Sequence, residues 1–141
     1  MKINSVEKKI MWGDLDALGI VFYPRYSEWI DASGHLFFES IGLIINDIWH
    51  QRGVQFSLVG TSCKYYSPGR YHQEIIIRTN IERLRDKIVE LKHEIISARD
   101  NLLMVRGIES RICTDVSNPD IFKAMKIPDD LHKILSVAYQ G

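Results

Sequence analysis

The sequence offers no excess of charge to a polyanion, because 18 Lys and Arg balance 18 Asp and Glu. Nucleic-acid-binding domains carry a basic field, and none is broad enough here, so no nucleic-acid partner is expected. Long apolar runs are missing too. No segment approaches the roughly 20 apolar residues of a membrane span, so no membrane span is expected. The N-terminal MKINSVEKKIMWGD alternates polar and apolar residues where a signal peptide would be continuously apolar. The cytoplasm is therefore the expected compartment. Cysteine is scarce: Cys63 and Cys113 lack CxxC spacing and a nearby histidine pair, and are expected as buried thiols. No His-x-x-x-His or acid cluster stands at ligand spacing, so no metal is expected. No glycine-rich Walker or dinucleotide loop is present. Repeats and linkers are also absent, and 141 residues with 45% hydrophobic content fit one domain spanning residues 1–141.

What is present is a strongly apolar segment followed by β-rich sequence. Ser5 to Trp12 alternates like a strand. From Pro24 to about Ser40, Trp29, Ile30, Leu36, Phe37 and Phe38 recur at helical intervals, with Ile41 just beyond. Proline suits the first helical turn and Gly42 suits the end. The predicted helix has roughly 17 residues, about 25 Å. Gly34 in its interior costs roughly 1 kcal/mol relative to alanine, which implies a close approach by another group. A shorter helix is expected at Ile44–Gln51.

Beyond Val54, the segments VQFSLVGTSCKYY, EIIIRTNIERL, IVELKHEIISA and LLMVRGIESRIC are separated by the turn-like SPGRY, RDK and RDN. Short connections join antiparallel neighbours. Val89, Leu91, His93 and Ile95 alternate with polar residues and mark one buried face. A last helix is expected from Pro128, with acids in its first turn. The fold class is α+β, an antiparallel sheet curling around a long central helix. The consecutive apolar LLMV suggests an outer surface buried by a second copy, so a homodimer at least is expected.

The most informative stretch is WGDLDALGIVFYPRYSEWIDASGHLFFESIGL, Trp12 to Leu43. Asp14 and Asp16 stand before a glycine, an apolar run and the proline of the helix start. An aspartate there can cap a turn or the helix. It can also act as nucleophile or base beside the unpaired N–H groups of a helix N-terminus. The residues alone leave both roles open.

GDLDALGIVFYPRYSEWIDAS resembles the hotdog-fold thioesterases, specifically the 4-hydroxybenzoyl-CoA thioesterase-like group, and KYYSPGRYHQEIIIRTNIERL resembles that group's strand, Pro-x-Arg-Tyr turn and strand. The likeness covers about Ile10 to Cys113. It departs at Ala17-Leu18, where the family often has Pro-Ala or Pro-Gly. The resemblance implies a hotdog fold whose chains pair sheet edge to sheet edge, with active sites at the interface, as dimers or dimers of dimers. It implies hydrolysis of an acyl-CoA, aromatic or aliphatic, with coenzyme A as part of the substrate and no separate cofactor. An acyl-carrier-protein thioester and a non-catalytic acyl-CoA-binding module are the alternatives.

Residue by residue, the likeness places the catalytic carboxylate at Asp16, which either attacks the carbonyl to give a mixed anhydride or activates water. It places the carbonyl-polarising donor at the backbone N–H of Tyr23. Gly19 lets the loop turn and the thioester approach. Asp14 is expected as a solvated or turn-forming acid. Trp29 and Tyr65, with Phe37, Phe38 and Tyr66, are candidates to line an acyl pocket. Asp31, Glu28 and His35 on the long helix are candidates to reach it. Arg70, Arg85 and Lys87 in predicted turns are candidates to hold CoA phosphates.

Overall fold

The β-rich half of the chain builds one antiparallel sheet in the computed structural model, which describes residues 1–140. The strands are β1 (Asn4–Lys9), β2 (Val54–Tyr65), β3 (Glu74–Leu84), β4 (Ile88–Ser97), β5 (Leu103–Asp115) and β6 (Lys123–Ala124). The helices are α1 (Pro24–Ser40), α2 (Ile45–Arg52) and α3 (Asp129–Gln140). Strand order is β1-β3-β4-β5-β2, with the short β6 pairing with β5. The edges are thus the six-residue β1 and the twelve-residue β2. The sheet curls around α1, the hotdog arrangement that the resemblance implies.

The α1 boundaries follow the sequence signals. Pro24 occupies the first turn, Tyr23 is the N-cap, and Gly42 follows with φ +89°, a conformation open to glycine at little cost. Tyr26, Trp29, Ile30, Ser33, Gly34, Phe37 and Phe38 are buried, whereas Leu36 lies on the exposed face.

Two apolar clusters fill the space between α1 and the sheet. One gathers Phe37, Phe38, Phe56, Val89, Leu91 and Cys113 with Leu131 and Leu135 of α3. The other gathers Tyr26, Trp29, Ile30, Ile75, Ile77, Ile95 and Val105. The inward residues of each central strand pass from one cluster to the other through a polar position: Thr79 on β3, His93 on β4, and Glu109 with Arg111 on β5. The core is therefore crossed by a polar belt.

Three expectations change in detail. The first strand stops at Lys9, because residues Trp12–Asp14 form a 3₁₀ turn closed by the Met11 N–H donating to Asp14 Oδ2 at 2.9 Å. Half of the LLMV run is core without any second copy, whereas Leu102 is exposed. Met104 and Val105 are both fully buried within the chain, and a register shift at Ile95/Ile96 of β4 breaks the alternation there. The cysteines are both free, Cys113 buried and Cys63 only partly so. Burial pushes the Cys113 thiol up to about 11.

Gly34 meets the sheet where the belt crosses. A Cβ there would collide with Glu109 Oε1 and stand 3.5 Å from Leu91 Cδ1, and this is the close approach its presence in a helix implied. Glu109 is pinned by hydrogen bonds on both carboxylate oxygens and cannot swing aside cheaply. Gly34→Ala is expected to lower unfolding free energy by about 1–3 kcal/mol, the usual cost of overpacking, despite alanine's better helix propensity. Urea denaturation of the two proteins checks this.

Candidate active site

The loop before α1 is a small hairpin built on itself. Leu15 and Val21 form an antiparallel bridge, as do Ile20 and Arg70. Asp16 N–H donates to Ile20 O (2.9 Å), and Gly19 N–H donates to Asp16 O (3.0 Å). Gly19 closes that turn at φ +75°, where a side chain would strain the backbone. Leu18 N–H donates to Asp16 Oδ1 at 2.8 Å, an Asx turn that fixes the half-buried carboxylate. The other oxygen, Oδ2, accepts no hydrogen bond among the described residues.

Asp14 has a different job. Beyond its bond to Met11, its Oδ1 stands 3.7 Å from Arg25 Nε, and its backbone O accepts from Phe22 N–H (2.8 Å). Arg25 also donates to Gly13 O (3.3 Å) and pairs with Glu28 at 3.2 Å. This guanidinium ties the loop to the first turn of α1, and it engages Glu28. Asp14 is turn-forming, as expected.

The loop delivers the chain to Tyr23. Phe22 N–H is taken by Asp14 O, but among the described residues no acceptor takes the Tyr23 N–H. It stands at the positive end of a 17-residue helix, where partial charge favours a developing anion. Beside it lies a cleft of about 250 Å³ lined by Ile20, Val21, Tyr23, Tyr26, Tyr65 and Tyr66, with Ser67 and Pro68. Tyr26 is a residue the sequence reading missed. Its hydroxyl accepts from Gly69 N–H at 3.0 Å, so it locks the turn after β2 against α1. Burial pushes its hydroxyl above the usual tyrosine range. A tyrosine in the first turn of an amphipathic helix, on its apolar face, was the available signal.

Of the sequence-predicted residues, Asp16, Gly19, Tyr23, Tyr65 and Arg70 are gathered at this end of the sheet. Trp29 is not part of the cleft: it is buried, with Tyr26 edge-on at 5.5 Å and Lys8 Nζ 5.4 Å above its ring. Phe37 and Phe38 are also wholly core. Asp31 lies two turns along α1, its carboxylate half-exposed, 2.7 Å from Arg111 and 3.7 Å from His35. Arg85 and Lys87 are exposed in the β3–β4 turn. β3 separates that turn from the Arg70 loop by 11 residues, about 36 Å along the strand at 3.3 Å per residue, so neither lies at the Asp16 hairpin of the same chain.

The sequence reading places His93 on a buried face but misses its charged partners, Glu109 and Arg111. Parity along β5 carried the signal, because Glu109 and Arg111 share the face of Val105 and Cys113. At that other end a larger cavity of about 650 Å³ is bordered by His35, Ile45, Trp49, Phe56, Arg111 and Phe122 among others. Among the described residues no group of His, Cys, Asp or Glu is arranged to hold a metal. No helix among the described residues is long and apolar enough to cross a membrane.

Comparison with known proteins places this geometry. The sequence profile of the thioesterase-like superfamily matches residues 10–135. The chain is 28% identical over 140 residues to 4-hydroxybenzoyl-CoA thioesterase of Pseudomonas sp. (strain CBS-3), covering 94% of this chain and 96% of that protein. A solved gentisyl-coenzyme A thioesterase superposes with TM-score 0.79 at 27% identity, covering 94% of this chain and 99% of that one. A mutant 4-hydroxybenzoyl-CoA thioesterase complexed with 4-hydroxybenzoyl-CoA superposes with TM-score 0.88 at 23% identity, covering 96% and 99% respectively. The shared fold is the hotdog.

The Tyr26 hydroxyl gives a direct test of the cleft's construction. Tyr26→Phe leaves the buried Gly69 N–H without its acceptor, and an unsatisfied donor costs about 1–3 kcal/mol. Thermal melts are expected to show that loss, and amide exchange at Gly69 is expected to speed up selectively.

Proposed function

The chain belongs to the thioesterase-like superfamily, a family of thioester hydrolases, and we propose that it hydrolyses an aromatic acyl-CoA to the free acid and CoA. The observation that carries this reading is the unpartnered Tyr23 N–H at the mouth of α1, with the Asp16 hairpin folded beside it. A thioester is already activated, so catalysis needs a carboxylate and a donor aimed at the carbonyl oxygen. The Tyr23 N–H polarises the carbonyl and the α1 dipole adds to it. Asp16 presents Oδ2, and either attacks the carbonyl carbon or takes a proton from water. Attack expels CoA thiolate and leaves a mixed anhydride for water to open; the general-base route gives acid and CoA in one displacement. Label left on Asp16 after a single turnover in ¹⁸O-labelled water establishes the anhydride route with opening at Asp16 Cγ, since the general-base route puts label only in the product acid.

The cleft by itself falls below the 300–1,000 Å³ of ordinary ligand pockets, which favours completion by a second copy. The edge strand β2 is the proposed seam. It exposes Leu58, Val59 and Tyr65 at 49, 57 and 50%, and its outer edge carries unpaired backbone groups. Antiparallel pairing of two β2 edges sets the N-terminal half of one against the C-terminal half of the other. The partner's Asp31 then comes toward the Tyr23–Tyr65 cleft, and the partner's Arg85 and the partner's Lys87 become available to CoA phosphates. The relatives' names specify hydroxybenzoyl and gentisyl thioesters, both hydroxylated benzoyl groups, and a helix carboxylate such as Asp31 is a suitable acceptor for such a hydroxyl. The site is proposed to work at the interface of a dimer, alone or within a dimer of dimers.

Thiol release from benzoyl, hydroxybenzoyl, phenylacetyl and short- and long-chain acyl-CoAs tests the proposal. The wild type is expected to turn over the aromatic thioesters, and Asp16→Asn to fall by about 10²–10⁴ with an unchanged melting temperature. Full activity in Asp16→Asn would remove that residue from the mechanism. Stabilisation by acyl-CoA without thiol release would make the protein a binding module.

A further inference from the structure

Three ionisable side chains, His93, Glu109 and Arg111, are 0, 2 and 4% exposed in a core that is otherwise apolar around them. They form one continuous chain. Thr79 Oγ1 and His93 Nδ1 are 2.8 Å apart, and His93 Nε2 is 3.0 Å from Glu109 Oε1. A carboxylate only accepts, so Nε2 bears the proton, and in the neutral imidazole Nδ1 accepts from the threonine. Arg111 Nη2 donates to Glu109 Oε2 (3.1 Å) and to Asp31 Oδ1 (2.7 Å), while Nη1 donates to Phe56 O (3.1 Å). The chain begins inside the sheet and ends on Asp31, whose side chain is 54% exposed.

Stability is a weak reason for such an arrangement. Replacing a buried ionic group wholesale by apolar residues is often neutral or stabilising, whereas removing one member is costly. What the belt does achieve is direction. Arg111 is held from β2 by Phe56 O and from within β5 by Glu109, which is itself held by His93. A lone surface aspartate samples several rotamers; here the guanidinium selects one, beside the cavity that Arg111, His35 and Phe56 border.

We infer that Arg111, braced by Glu109 and His93, is the positioning residue that fixes the Asp31 carboxylate for recognition of a hydrogen-bond donor on the acyl group. This rests on the proposed reading in which Asp31 meets the acyl group of a substrate across the dimer. Arg111 touches no reacting atom and acts through Asp31.

The test compares kcat and KM for 4-hydroxybenzoyl-CoA and benzoyl-CoA. Asp31→Asn is expected to shrink the preference for the hydroxylated substrate about ten- to a hundredfold, the usual worth of one hydrogen bond to a charged group. Arg111→Met is expected to lose the same preference, chiefly in KM, with Asp31→Asn adding nothing on top, and Arg111→Lys is expected to restore part of it. Should Arg111→Met fold poorly, Arg111→Gln takes its place: it keeps a buried donor but not the charge held on Asp31, and is expected to lose the same preference. Preference retained in the variant that folds, or an equal loss on both substrates, overturns the inference. A wild type that turns over both aromatic thioesters without that preference sinks this inference alone, whereas a wild type that turns over neither sinks the functional reading with it.

Discussion

One buried carboxylate marks the closest meeting of helix and sheet: Glu109, whose Oε1 lies where a side chain on Gly34 of α1 would stand. An unpaired charge in such a place would cost several kcal/mol, and here each oxygen has a cationic or N–H partner. The bond pattern works only at one setting of helix against sheet. Sliding α1 by a single turn, about 5.4 Å, would drive a side chain into Glu109 or break the Arg111 bond to Asp31. Apolar packing alone tolerates small slips, because Phe37, Ile30 and their neighbours make undirected contacts. The belt between the two apolar clusters supplies the direction that packing lacks.

With α1 fixed in this way, the position of its N-terminus is fixed as well. Tyr23 is carried to the end of the sheet where the turn after β2 meets the Leu15–Val21 hairpin, and Tyr26 fastens that turn through Gly69. The other polar features, Asp31, Arg111 and the large cavity, lie toward the opposite end. One chain thus carries two dissimilar polar surfaces, at the start of α1 and two turns along it. On the proposed reading, two-fold pairing along β2 brings unlike ends together, since it reverses one chain relative to the other. The open edge and its exposed apolar side chains are consistent with that geometry.

Much of this was legible in the residues. The limits of α1, the four long strands and their short turns follow from periodicity and from Pro24 and Gly42. The oddity of Gly34 was visible as a helix cost needing a reason. The reason was not visible, because the approaching group lies 75 residues further on in β5, brought near only by the tertiary fold. Depth was harder to read than parity. LLMV reads as an outer apolar face from sequence, and a register shift at Ile95/Ile96 puts Met104 and Val105 in the core while Leu102 stays exposed. Trp29 was read as pocket lining for its size and position on the helix, and the fold turns it under Lys8 instead.

Sequence reasoning also posed a choice at Asp16, between an acid that caps a turn and an acid that does chemistry, and the geometry makes these compatible. One oxygen accepts the Leu18 N–H and is spent on holding the carboxylate in the turn. The other has no hydrogen-bond partner among the described residues, in a loop whose neighbours are Gly19 and the apolar Ile20 and Val21. A carboxylate bonded on both oxygens would be a poorer nucleophile and base, and one bonded on neither would lack a defined direction. On the proposed reading the Asx turn aims the carboxylate as well as closing the turn. It also accounts for the apolar run that follows two acids: the run buries itself against α1 and the turn after β2, and by doing so anchors the far leg of the hairpin on which Asp16 is held.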